Sequence, residues 1–267
     1  MQASHDKKNV HIILAILNIL FFAGMLTVNA LANALPINGL TTGEISAFYP
    51  NLFVPAGLTF SIWGLIYTFL FIYVIYALLV SLKGNLNGAV TVKMQITFAL
   101  TCVFNAVWII LWHYKLIILS EILMIALLVA LIRLFIDTDN LKLKGWTPCL
   151  CIKIPVYIYL GWITVATIAN TTALLVAKNW GAWGIAENIW TITMILIGAA
   201  ITVLMLLRHR NIAFALVVIW AYSGIIIKRS AQDVLYNDII FSSALSIGLI
   251  AVLVIYILFK KKRKDSA

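Results

Sequence analysis

Apolar residues run in long, nearly unbroken blocks along this chain, and polar or charged residues gather in the gaps between them. Eight blocks lie at 11–34, 57–80, 94–113, 117–136, 151–176, 187–207, 211–227 and 239–259. Each is roughly the 17–25 residues that take a helix across a bilayer. Strand edges and irregular backbone cannot cross hydrocarbon, because their N–H and C=O groups would go unpaired, so every block is expected to be a helix. The predicted fold is therefore all-α: a polytopic integral membrane helical bundle of about eight transmembrane helices. The longest gap is 35–56, where Asn38-Gly39 and Tyr49-Pro50 mark turns and Phe48, Tyr49 and Phe53 are expected to fold back onto the membrane surface.

Inside the apolar blocks, the few polar and aromatic positions are not scattered. In the first helix, Asn18 and Asn29 are eleven residues apart, about three turns, so they share a face with Met25 between them. Amides in hydrocarbon face other helices or a cavity. The second block opens on P-A-G-L-T-F-S-I-W-G-L-I-Y (55–67), which places Phe60, Gly64, Tyr67 and Phe71 on one face with Trp63 beside it. Gly64 removes a side chain there and leaves room for a helix or a flat ligand. The third helix carries the stripe Thr101, Asn105, Trp108, Trp112, and the fifth carries Tyr159, Trp162, Ala166, Ala169, Asn170. An aromatic interface belt plus ordinary helix packing explains any one of these faces. Trp112 and Tyr114 read as interface anchors, His113 as a solvated edge group, and Trp180, Trp183 and Trp190 as an aromatic belt.

Composition and charge narrow the class. The chain is 64% hydrophobic and 10% charged, against about 25% charged in soluble domains. No soluble domain is therefore expected. With the N-terminus inside, 15 of the 19 Lys and Arg residues fall on the inner side, among them Lys7, Lys8, Lys144 and the terminal run at 260–264. That asymmetry predicts eight spans in the plasma membrane with both termini cytoplasmic. The terminal run would attract anionic lipid at about 1 kcal/mol per residue, and nucleic acid is not an expected partner. Lys7-Lys8, the apolar run and Ala32-Asn33-Ala34 also fit a signal peptide with its cleavage site, but the run exceeds the usual h-region, so a retained helix is expected. Cys102, Cys149 and Cys151 have no metal-site spacing and are expected as free thiols. No metal site is expected. Glu121 lies about one turn from the Lys115 loop, where interfacial pairing accounts for it.

Taken in order, P-A-G-x-x-F-x-x-W-x-x-x-Y (55–67), N-x-x-W (105–108) and Y-x-x-W-x-x-x-A-x-x-x-N (159–170) resemble the TspO/translocator-protein family, the tryptophan-rich sensory proteins related to the peripheral benzodiazepine receptor. The resemblance runs from residue 11 to about 176, and the chain resembles the longer bacterial branch with extra C-terminal helices. It implies a five-helix TspO-like ligand-binding bundle at 1–176, followed at 177–267 by three additional transmembrane helices and a basic tail. It also implies a pocket between helices one, two, three and five under the first outer loop. Carried over by position, Trp63, Asn105, Trp108, Trp162, Ala166 and Asn170 would line it, and Phe60, Tyr67 and Tyr159 join them from the faces described above. The chain departs from the family pattern at Ala56, where the family has a second Pro, and at Ala47-Phe48-Tyr49-Pro50 in the loop.

The function so implied is a membrane-embedded binding or sensory protein for tetrapyrrole-like or other lipophilic ring ligands. No catalytic residue and no cofactor is expected; porphyrin or haem enters only as ligand. Two other readings stand beside it. A facilitator moving a small lipophilic solute fits spans without midplane charges. A light-dependent porphyrin-degrading enzyme would rest on Trp63 and Trp162. The expected partners are a lipophilic small molecule, the bilayer and, by resemblance, a second copy in a homodimer.

Overall fold

The structure is a computed structural model that describes residues 2–35, 37–84, 90–143, 145–232, 234 and 236–265, with backbone alone at 2–7 and 261–265. Every regular element among the described residues is helical. Eight long helices match the eight apolar blocks: α1 (Gln2–Ala34), α2 (Ile62–Lys83), α3 (Val92–His113), α4 (Ile117–Asp139), α5 (Ile154–Ala177), α6 (Glu187–His209), α7 (Ile212–Ser230) and α8 (Asn237–Asp265). Each is long and apolar enough to cross a membrane. Lys144 and Asp233, together with the side chains of Lys7 and of 261–264, lie outside the described residues. The contacts divide the chain into two compact units: Met1–Ile45 with Ile62–Ile163, and Ser46–Ser61 with Thr164–Ala267.

In the first unit, α3 packs against α1 and α4, and α1 against α2. The buried face of α1 is Ala15, Asn18, Phe22, Met25, Asn29 and Ala32, a spacing of three and four that puts both asparagines inward as their period requires. Tyr73 of α2 stacks on Phe98 of α3 with ring centroids 4.7 Å apart. Asp137 holds the Arg133 guanidinium at 2.9 Å and lies 3.8 Å from Lys93 Nζ. Such exposed pairs stabilise by only about 0–1 kcal/mol. A widened π-type turn at Cys149–Lys153 leads into α5. It comes just before Pro155, whose missing N–H interrupts the regular ladder.

The chain leaving α1 turns at Asn38, which adopts the left-handed conformation (φ 59°) that Asn tolerates through its short polar side chain. Its Nδ2 donates to the His113 carbonyl at 3.1 Å. The short helix Thr42–Ala47 follows. Its start is a reciprocal cap: Glu44 N–H donates to Thr41 Oγ1, while Glu44 Oε2 accepts from Thr41 N–H at 2.7 Å and Thr41 Oγ1 at 2.8 Å. Those bonds, the backbone one first, hold the Glu44 carboxyl below its ordinary range.

The second unit packs α8 on α6 and α7, and α6 on α7. Its loop segment, 46–61, is fastened at both ends. Asn51 Oδ1 accepts the Phe53 and Val54 N–H groups, and Asn51 Nδ2 donates to the Tyr49 carbonyl. Leu52 N–H donates to Glu187 Oε1 at 2.9 Å. At the far end, Ala56 N–H donates to the Gly224 carbonyl at 3.0 Å and Trp220 Nε1 to the Thr59 carbonyl at 2.9 Å. Gly224 is required for this docking: the Thr59 side chain occupies the place a Cβ would take. Tyr222 does the same at Gly198, and its hydroxyl donates to the Ile195 carbonyl at 2.6 Å.

Candidate functional site

Three helices of the first unit bring a polar chain and an aromatic cluster together. Asn29 Nδ2 of α1 donates to Asn105 Oδ1 of α3 at 2.8 Å, and Asn105 Nδ2 donates to Tyr159 Oη of α5 at 3.0 Å. Asn29 Nδ2 also donates to the Met25 carbonyl of its own helix at 2.9 Å. Asn105 is fully buried, Tyr159 nearly so, and Asn29 is 5% exposed. A buried amide without partners is costly, and here donor and acceptor of Asn105 are each matched on a different helix. Because the Tyr159 oxygen accepts in this chain, its own O–H proton is directed elsewhere.

Trp63 of α2 is the hub of the aromatic cluster. Its ring stacks on Tyr67 (centroids 5.4 Å, planes 20° apart) and meets Tyr159 and Trp162 edge to face, both at 6.2 Å. Edge-to-face and offset contacts of this kind are the arrangements that aromatic quadrupoles favour. Trp63 and Tyr67 are half-buried, and Gly64 between them is exposed. A Cβ built on Gly64 would meet open space. The cluster therefore offers a held aromatic surface with one side chain missing beside it.

Of the residues singled out from the sequence, Trp63, Tyr67, Asn105, Tyr159 and Trp162 come together in this unit. Trp108 is in the same unit, buried and stacked on Trp112 at 6.3 Å. Phe60, Ala166 and Asn170 belong to the second unit, where Asn170 is buried and the other two are half-buried. Phe71, expected on one face with Gly64 and Tyr67, is 56% exposed and meets Phe22 of α1. Two further expectations are corrected. Trp112, read as an interface anchor, is buried and donates Nε1 to the Thr42 carbonyl at 3.3 Å. His113, read as a solvated edge group, is fully buried and its Nδ1 donates to the Ile109 carbonyl at 2.8 Å. Both follow from the path of the first loop, whose 37–45 segment is bonded to the end of α3 at Asn38 and Thr42. No group of three or more His, Cys, Asp or Glu able to hold a metal occurs among the described residues.

The second unit contains a feature that periodicity did not disclose. A partly open cavity of about 540 Å³ lies between the Thr167–Val176 face of α5, the start of α6 and the loop around Pro50–Phe53. Trp180 and Trp190 form part of its wall. These two indoles and Trp183 pack on one another with centroids 5.2–5.7 Å apart. Read from the sequence they are belt residues; nothing local signals that they close a cavity. Ala182 and Trp183 beside it both hold left-handed backbone (φ 52° and 53°), a conformation that strains a bulky side chain and recurs at functional sites.

Comparison with known proteins comes to one positive result. Residues 15–259 match the family model described as TSPO-like protein. No curated protein and no solved structure matches the chain. The match extends through all eight helices, and the chain belongs to the TSPO-like family of membrane proteins.

Proposed function

We propose that this TSPO-like protein binds or senses a lipophilic ring ligand of the tetrapyrrole kind, without catalysing its conversion, at the aromatic cluster around Trp63. One observation carries the reading: a half-buried tryptophan, braced by Tyr67, Tyr159 and Trp162, meets a buried amide–phenol chain at Tyr159 and adjoins the open space at Gly64. A flat ring needs a rigid π surface, a missing side chain to approach it and a few hydrogen-bonding groups for orientation. The cluster supplies the first two, and the phenol of half-buried Tyr67 is a hydrogen-bonding group beside the Trp63 ring. The uneven distribution of Lys and Arg supports placement in a plasma membrane with both ends cytoplasmic. The 1–176 stretch, which holds the cluster, is proposed as the ligand-binding part, with 177–267 added to it.

The test is protoporphyrin titration of the purified protein, read by tryptophan quenching. Trp63→Phe and Trp162→Phe are each expected to weaken porphyrin binding several-fold, and Trp180→Phe to leave it unchanged. Equal effects of all three would mean adsorption at the surface and would end this reading. Product analysis after illumination separates binding from degradation; unchanged porphyrin is expected.

A further inference from the structure

We propose that the cavity of the second unit is a binding site for a lipophilic cation, a protonated amine carried on an aromatic or aliphatic group. The volume, about 540 Å³, falls within the roughly 300–1,000 Å³ of small-molecule sites. The walls are mostly apolar, including Phe53, Ile168, Leu175 and Met194. Several of their polar groups are bonded within the protein. Thr171 and Thr172 give their hydroxyl protons to the Thr167 and Ile168 carbonyls at 2.9 and 2.8 Å. Trp190 Nε1 donates to the Ala182 carbonyl, and Asn51 Nδ2 to the Tyr49 carbonyl. These four donors are thus engaged within the protein.

Charge points the same way. Glu187 is the one ionisable side chain among the wall residues. One of its oxygens takes the Leu52 N–H, and a carboxylate accepts up to about four hydrogen bonds. Trp180 and Trp190 are wall residues too, and of the aromatic rings indole attracts cations most strongly. A carboxylate in a largely apolar wall that includes two indoles selects a lipophilic ligand that carries positive charge. An anionic ligand meets the wrong sign at Glu187. Arg229 of α7 is within electrostatic reach of Glu187 but is not a wall residue. This assignment is separate from the tetrapyrrole reading and does not need it.

Three naphthalene probes that differ only in head group test it by calorimetry on the detergent-purified full chain: 2-(1-naphthyl)ethylamine, 2-(1-naphthyl)ethanol and 1-naphthylacetate. The amine is expected to bind at least tenfold more tightly than the alcohol, and the acetate more weakly than either. Glu187→Gln keeps an acceptor for the Leu52 N–H and should fold; it is expected to bring amine and alcohol within about twofold. Trp63→Phe is expected to leave amine binding unchanged. No amine binding, acetate binding as tight as amine, or an amine preference that survives Glu187→Gln would overturn the proposal. So would loss of amine binding in Trp63→Phe, which would put the ligand in the first unit.

Discussion

The two tryptophan clusters of this protein are built from the same residue type and differ in what surrounds them. Around Trp63 the neighbours are phenols and amides whose hydrogen bonds are satisfied between helices α1, α3 and α5. Around Trp180, Trp183 and Trp190 they are a carboxylate, threonine hydroxyls bonded to their own helix and a left-handed stretch of loop. The first arrangement presents a stiff, neutral π surface. The second presents a cavity with acceptors and negative charge. Tryptophan content alone therefore says little about ligand chemistry; the hydrogen-bond inventory of the neighbours decides it.

The largest expected effect comes from Gly224→Ala. The new methyl would occupy the place of the Thr59 side chain, and overpacking of this kind costs about 1–3 kcal/mol. Thermal unfolding of the purified protein should shift down, and naphthylethylamine binding should fall as the 46–61 segment loosens. Quenching at Trp63 should persist, since the atoms nearest the new methyl all belong to Thr59. If both ligands were lost together, the two regions would not be separable in this way.

Asn105→Leu is the mirror experiment. It strips partners from both Asn29 and Tyr159, where each interhelical bond in a membrane averages about 0.6 kcal/mol. A stability loss of about 1 kcal/mol is expected, with weaker porphyrin quenching and unchanged amine binding. A double-mutant cycle with Asn29→Leu should show coupling; simple additivity would mean the Asn29–Asn105 bond contributes nothing. Tyr222→Phe removes the bond to the Ile195 carbonyl and should cost about 0.6 kcal/mol with neither ligand affected.

The smallest effect sharpens the loop rather than the clusters. Glu44 is held below its ordinary range by the cap to Thr41, so the cap's contribution is complete above the unfolded carboxyl pKa and is lost as pH falls through the lowered folded value. Amide exchange within Thr42–Ala47, corrected for intrinsic rate, should quicken in acid. In Glu44→Gln the acid-dependent change should vanish. Persistence of that change in the variant would assign it to another group.

Much of the first cluster can be read from spacing. Asn18 and Asn29 recur on one face, Asn105 lies one turn from Trp108, and Tyr159 lies one turn from Trp162, so their inward direction follows from helix geometry. Trp112 and His113 were misplaced for a definite reason: their position at a helix end suggests water, but a loop 70 residues away in sequence, at Thr42, returns to them. The cavity was less legible still. It depends on Leu52 meeting Glu187, 135 residues apart, and on a Thr face of α5 whose period is that of any membrane helix.

By itself the sequence determined that this is an eight-helix membrane protein, because hydrocarbon forces each long apolar run to satisfy its own backbone bonds. It also determined which amides turn inward. Only the tertiary structure decided which side chains those amides meet, where the first loop is fastened and that Trp180 and Trp190 enclose a space. The reason is physical: helix formation is local and periodic, whereas packing and loop docking join residues whose separation along the chain carries no signal.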